Sequence, residues 1–143
     1  MNIPVFKNEQ VCKKCKGLCC KQMGCHYSPK DFKDLSFEGL KKEIEKGKIS
    51  IDWWETGDVF NPEYYLRARN KNGRIIDPSY GGECINLTEK GCSLSFEERP
   101  LGGKALKPDI FGYCRSYYTK EDCKNEWKPY KEVLKKLVEY FNL

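Results

Sequence analysis

The sequence predicts a small metal-stabilised α+β domain with short N-terminal helices, a central antiparallel sheet with hairpins, and a C-terminal amphipathic helix. Three observations predict it. β-Branched and aromatic residues gather mid-chain in ISIDWW and EYYLRARNKNGRIID. An apolar stripe at helical spacing runs from Tyr130 to Phe141. Nine cysteines, five of them within CKKCKGLCCKQMGCH at residues 12–26, call for a chemical explanation beyond packing. A chain of 143 residues, 39% hydrophobic and 13% aromatic, fits a single domain spanning 1–143 with a modest core and a staple.

Residues 1–27 read as an irregular cysteine-bearing segment with one helical turn near 16–21. Ser28 is a natural N-cap and Pro29 a natural first helical residue. A second start follows at Ser36, with Phe37, Leu40 and Ile44 at helical spacing and Gly47 as the stop. Residues 48–100 read as a small antiparallel sheet, with a tight turn at Asn72-Gly73 leading into Arg74-Ile75-Ile76. Pro78 and Gly81-Gly82 break it before ECINLTEKGCSL, a hairpin that turns at Glu89-Lys90-Gly91 with a cysteine on each arm. Thr119 and Asp122 form a capping pair for the last helix, and Pro129 kinks or restarts it. Its stripe of Tyr130, Val133, Leu134, Leu137, Val138 and Phe141 is expected to dock on the domain's own core.

No segment is long and apolar enough to cross a membrane, and MNIPVFKNEQ lacks the apolar run of a secretory signal. A cytoplasmic location follows as an expectation. There thiols stay reduced, so clustered cysteines point to metal binding ahead of disulfides or a dithiol redox centre. The odd cysteine count also argues against disulfides, and no βαβ pattern surrounds Cys12 and Cys15. Residues 1–30 carry six lysines against one acid, which equals the net charge of +5 of the whole chain. Such a patch can bind nucleic acid. The favoured reading is that it compensates anionic thiolates: seven of them holding two divalent ions would bring the formal charge of +5 down to +2.

Cys12-x2-Cys15 is a chelating spacing, because a short loop lets both thiolates face one ion. Cys19 follows Cys15 at i+4, so on a helical turn these sulfurs share a face. Cys20 would then point about 100° away, to serve a second ion, join the distant cysteines or stand as an inert buried thiol. Those are Cys84, Cys92 and Cys114, each in a turn-forming context. Cys25 and His26 offer two further donors, and Cys123, inside the last helix near Trp127, reads as a buried core thiol. Sulfur-only coordination suits zinc, as one or two ions, and equally a [4Fe–4S] cluster.

These residues resemble the YkgJ-type cysteine-cluster family, described as a zinc- or iron-chelating domain. One mark is the CxxCxxxCC-like run, here Cys12, Cys15, Gly17, Cys19 and Cys20. The other is a Cys-x-x-Leu segment, a Gly-Cys, an Arg-Pro and a Cys-Arg. Here these are Cys84 to Leu87, Gly91-Cys92, Arg99-Pro100 and Cys114-Arg115. The resemblance spans residues 12–115 and implies seven metal ligands: Cys12, Cys15, Cys19, Cys20, Cys84, Cys92 and Cys114. The chain departs from the pattern where LGGKALKPDIFGY separates Arg-Pro from the final cysteine.

No catalytic residue stands out. Gly102-Gly103-Lys104 is too short for a phosphate loop and reads as a flexible turn. One histidine beside a cysteine cluster supports no serine-based triad; His26 reads as a ligand, a proton shuttle or a surface residue. Asp31, Asp34 and Glu38 read as solvated helix faces, and Trp53, Trp54, Phe60, Tyr64 and Tyr65 as the packing surface of the sheet. Three functions stay open: a metal-binding protein, a metalloenzyme or electron carrier using an iron–sulfur cluster, and a nucleic-acid-binding metal module.

Overall fold

The computed structural model describes residues 3–6, 25–54, 60–78, 82–89, 91–107 and 115–142. The helical turn expected at 16–21 lies outside them. The described residues are mixed helix and strand. Ser28 caps a 3-10 turn, Pro29–Asp31: its hydroxyl accepts from the Lys30 N–H at 3.2 Å, and Asp31 accepts from the Ser28 N–H at 2.8 Å. Asp31 also accepts from the Leu101 N–H at 2.9 Å, so it is a half-buried link across the chain and not a solvated acid. Ser36 caps α1, Phe37–Glu45, through the Gly39 N–H at 3.2 Å. Leu40 and Ile44 form its buried side, and Gly47, at φ +90°, takes the left-handed conformation that ends it.

Strand β1, Ile49–Trp53, pairs antiparallel with β2, Tyr64–Ala68, with Ser50 opposite Arg67 and Asp52 opposite Tyr65. Alternation gives the pair two different faces. Ile49, Ile51, Leu66 and Ala68 share one face; Ser50, Asp52, Tyr65 and Arg67 share the other. Both are covered, and all four residues of the second face are 0% exposed. A polar face so buried must be satisfied internally.

Two short segments widen this sheet. Residues 25–27 lie along the free edge of β2, with the Tyr27 N–H donating to Leu66 O at 2.9 Å and the Ala68 N–H to Cys25 O at 2.8 Å. The turn at Asn72-Gly73 forms, with Asn72 at φ +63° and the Gly73 N–H on Asn70 O at 2.8 Å. It does not fold Arg74-Ile75-Ile76 back as an antiparallel hairpin arm. Both edges of β2 are taken, so the chain crosses to β1, where Ile76 pairs parallel with Ile51. The Ile51 N–H donates to Ile75 O at 2.7 Å and the Asp77 N–H to Ile51 O at 3.0 Å.

The expected hairpin is β3, Leu87–Thr88, with β4, Gly91–Cys92. Its register corrects one detail. Cys92 stands opposite Leu87, while Cys84 lies before β3 and bridges to Asn70. Two short helical pieces follow, a 3-10 turn Phe96–Glu98 and a short helix α2, Leu101–Lys104, joined by Arg99 and Pro100 in extended conformation. Gly102-Gly103-Lys104 is therefore a helical turn and not a flexible one. A Cβ on Gly102 would sit 2.7 Å from the His26 nitrogen and 2.8 Å from its carbonyl oxygen. The Gly102 N–H donates to that oxygen at 2.9 Å. The LGGK stretch thus buttresses the strand segment at His26. Beyond it β5, Leu106–Lys107, pairs with β6, Arg115–Ser116.

The Thr119–Asp122 capping box starts α3, Lys120–Trp127. Pro129 lies in a 3-10 turn, Lys128–Tyr130, that leads into α4, Lys131–Phe141. Leu134 and Leu137 are 0% exposed, and Tyr130, Val133, Val138 and Phe141 pack against the same core. α1 and α4 pack on each other, α1 on β1, and α3 and α4 on β2. The mid-chain aromatics divide: Tyr65 is buried in the core, whereas Phe60 is 94% exposed and does not pack the sheet.

The buttress has a sharp test. Gly102→Ala is expected to lose about 1–3 kcal/mol by overpacking against backbone that cannot turn aside. Gly103→Ala, whose Cβ would meet the Arg99 side chain at 3.4 Å, is expected to stay near wild type. Urea unfolding of both variants measures the contrast, and equal stabilities would contradict it.

Candidate functional site

Of the seven sequence-derived ligands, Cys84 and Cys92 are described; Cys12, Cys15, Cys19, Cys20 and Cys114 lie outside the described residues. Cys25, Cys84, Cys92 and Cys123 are all free thiols. Among the described residues no three His, Cys, Asp or Glu side chains form a group that could hold a metal ion. A complete shell would therefore need donors from the remaining cysteines.

The surroundings of Cys84 follow from the fold. The Leu87 N–H donates to Cys84 O at 3.0 Å, and the Ser93 N–H to Asn86 O at 2.8 Å, which ties the Cys84 loop to both hairpin arms. Leu87 stands opposite Cys92, so the two cysteines are brought towards one another through that residue. Cys84 itself is 3% exposed and packs with Ala68, Leu87 and Tyr27. Burial pushes its thiol up. The backbone N–H of Asn86 acts against this, the Cys92 sulfur reinforces it, and the Asn86 side chain and the Cys25 N–H again oppose it. Burial disfavours the thiolate, while the three N–H contributions favour it. A cation at that sulfur would tip the balance to the thiolate.

Cys25 shares this neighbourhood. His26 faces Arg67, so alternation puts Cys25 on the other side of the strand, the side of Ala68 against which Cys84 packs. The sequence offered Cys25 and His26 as two further donors. The strand geometry sends them to opposite faces. Cys123 is a core thiol: 0% exposed, with its Sγ donating to Tyr27 O at 3.3 Å and its thiol raised chiefly by burial.

His26 is 7% exposed and is not a surface residue. It lies on the polar face, its ring centroid 5.5 Å from that of Tyr65. Arg67 dominates this face. Its Nε donates to Asp52 Oδ2 at 2.9 Å, Nη1 to Ala68 O at 3.1 Å, and Nη2 to Asp77 O at 2.9 Å. Asp52 Oδ1 accepts the Trp53 N–H at 2.7 Å. The Nε2 of His26 and the hydroxyl of Tyr65 are buried without a hydrogen-bond partner among the described residues. The Asp52 carboxylate lies close enough to help burial raise the Tyr65 phenol, but it is not placed to accept its proton. Burial, then the charges of Arg67 and Lys120, lower His26 to about 4. The imidazole is therefore neutral at pH 7.

Sequence reasoning singled out none of Ser50, Asp52 and Arg67. The available signal was Ser50 and Asp52 alternating with Ile49 and Ile51 in one strand, and Arg67 at the matching phase in the other. Protein-family models, curated proteins and solved structures yield no match to this chain.

The histidine makes a pH-dependent contribution of known sign. Its folded value, about 4, lies below the ordinary 6.5, so between these the unfolded chain binds more protons. Stability conferred by the neutral ring is full above the higher value and is lost as the pH falls towards the lower one. The expected loss is about 3 kcal/mol. Unfolding of wild type and His26→Gln across this range measures it, and parallel pH profiles would contradict it.

Proposed function

We propose that this is a metal-binding protein whose clustered cysteines hold zinc, as one or two ions, through thiolate ligands. The observation that carries the reading is the setting of Cys84. Its sulfur is buried, with Cys25 on the neighbouring strand segment and Cys92 on the adjoining hairpin; burial raises the thiol, and the nearby N–H groups of Asn86 and Cys25 act against that rise. Donors aimed at sulfur stabilise a thiolate, and a thiolate beside a second cysteine suits a soft or borderline cation. Cys84 and Cys92 would supply one part of the shell, with Cys25 as a further donor brought in only when the other cysteines assemble, because the three do not form a metal-holding group by themselves. Cys12, Cys15, Cys19, Cys20 and Cys114 would supply the rest. The resemblance to the YkgJ-type family implies the same set with the exception of Cys25. Free thiols of this kind suit a reducing compartment such as the cytoplasm. No helix among the described residues is long and apolar enough to cross a membrane.

Anaerobic purification of the full chain, with metal analysis and a visible spectrum, tests the proposal. A colourless protein with stoichiometric zinc is expected. Iron and sulfide with a broad visible band would replace zinc by an iron–sulfur cluster, and protein free of metal would overturn the reading. Cys84→Ser is expected to lose metal and to melt at lower temperature, because ligand binding energy is folding energy. Cys123→Ser is expected to keep its metal. Equal metal content in the two variants would contradict the assignment.

A further inference from the structure

The second half of the chain carries a charge pattern that the metal reading does not use. Lys120, Lys124, Lys128, Lys131 and Lys135 recur along α3, the 3-10 turn and α4. Counting 100° per residue in the helices and 120° in the 3-10 turn, these positions fall within an arc of about 120° and follow about 24 Å of helical path. The 3-10 turn does not scatter them. Lys124, Lys128 and Lys131 line one depression of about 200 Å³ together with Glu63, Tyr64 and Trp127.

The row is held in place from below. Lys124 Nζ lies 4.7 Å from the centroid of the Trp54 ring, and Lys120 Nζ lies 5.8 Å from both the Trp54 and the Tyr65 rings. Such contacts orient an ammonium group without cancelling its charge. Among the described residues one carboxylate pairs with the row. Glu63 reaches Lys124 at 3.5 Å and Lys128 at 3.6 Å. Among the described residues, five cations with one paired acid leave a line of net positive charge. The same helical arithmetic places Glu121 at about 100°, and Glu132 and Glu139 beyond the row at about 160–180°.

We propose that this lysine row binds the phosphate backbone of a nucleic-acid strand. The shape of the charge selects that occupant. One row of cations bordered by acids fits a linear polyanion, whereas a planar anionic membrane would meet the flanking carboxylates. The row is about as long as six phosphates of one strand measured along a duplex axis. A phosphate entering the depression would displace Glu63 from Lys124 and Lys128. The contacts are to backbone alone, so the binding is sequence-tolerant.

Fluorescence anisotropy with a labelled single-stranded oligonucleotide and the full chain tests the proposal. Affinity should fall with salt, with a log–log slope of about −3.5 for five single-strand contacts. Replacing Lys128, Lys131 and Lys135 together by Gln should weaken binding by about a hundredfold at about 0.1 M salt and cut the slope by about 2. The same three positions changed to Arg should keep binding. Changing Lys33 and Lys42 to Gln, away from the row, should leave it unaltered. An unchanged affinity and slope in the triple Gln variant would overturn the proposal, as would no binding by wild type at low salt. Equal competition by polyglutamate or by phosphatidylserine vesicles would overturn the choice of occupant.

Discussion

The buried ion pair between Arg67 and Asp52 is the constraint on which the sheet depends. Both side chains are 0% exposed, and a charge so placed is tolerated when every donor finds an acceptor. Arg67 meets this by reaching Asp52 on β1, the carbonyl of Ala68 on its own strand and the carbonyl of Asp77 on the parallel segment. One guanidinium thus ties three neighbouring strands. The fourth, at residues 25–27, sets His26 directly opposite Arg67. A slip of one residue there would exchange His26 and Cys25 between the two faces. The backbone bonds from Tyr27 to Leu66 and from Ala68 to Cys25 hold that register, which sets His26 on the face of Arg67 and Cys25 on the face of Ala68.

The cysteine neighbourhood hangs from this frame at the end of β2. Cys25 pairs with Ala68, and Cys84 pairs with Asn70 two residues further on. Gly102 presses the backbone of His26 from outside, and Asp31 joins the first helical turn to Leu101. The strand segments that carry the sulfurs are positioned by backbone ladders and by one close glycine contact, and Cys84 adds its packing on Ala68, Leu87 and Tyr27. Metal binding would then draw on a partly prepared scaffold, which reduces the ordering cost of assembling ligands.

Much of this was legible in the sequence, and the rest shares a physical reason. Ser28, Ser36 and Thr119 cap helices because capping depends on the few residues that follow. The stripe of α4 and the burial of Cys123 follow from local periodicity. The choice of strand partner is not local. Asn72-Gly73 specified a turn correctly, but where Ile75 and Ile76 went was decided by residues 25–27 and β1 occupying both edges of β2. The burial of His26 and the role of Gly102 also arise from that distant pairing. For the site, turn-forming context and the family resemblance brought Cys84 and Cys92 to notice, whereas Cys25 and His26 looked alike until the strand separated them.

The central claim is that sulfur from clustered cysteines forms the ligand shell of a bound metal. X-ray absorption at the metal edge of the anaerobically purified full chain tests it most directly. The account predicts a first shell of sulfur, at about 2.3 Å if the metal is zinc. A shell made of nitrogen and oxygen alone, or no bound metal to measure, would contradict it.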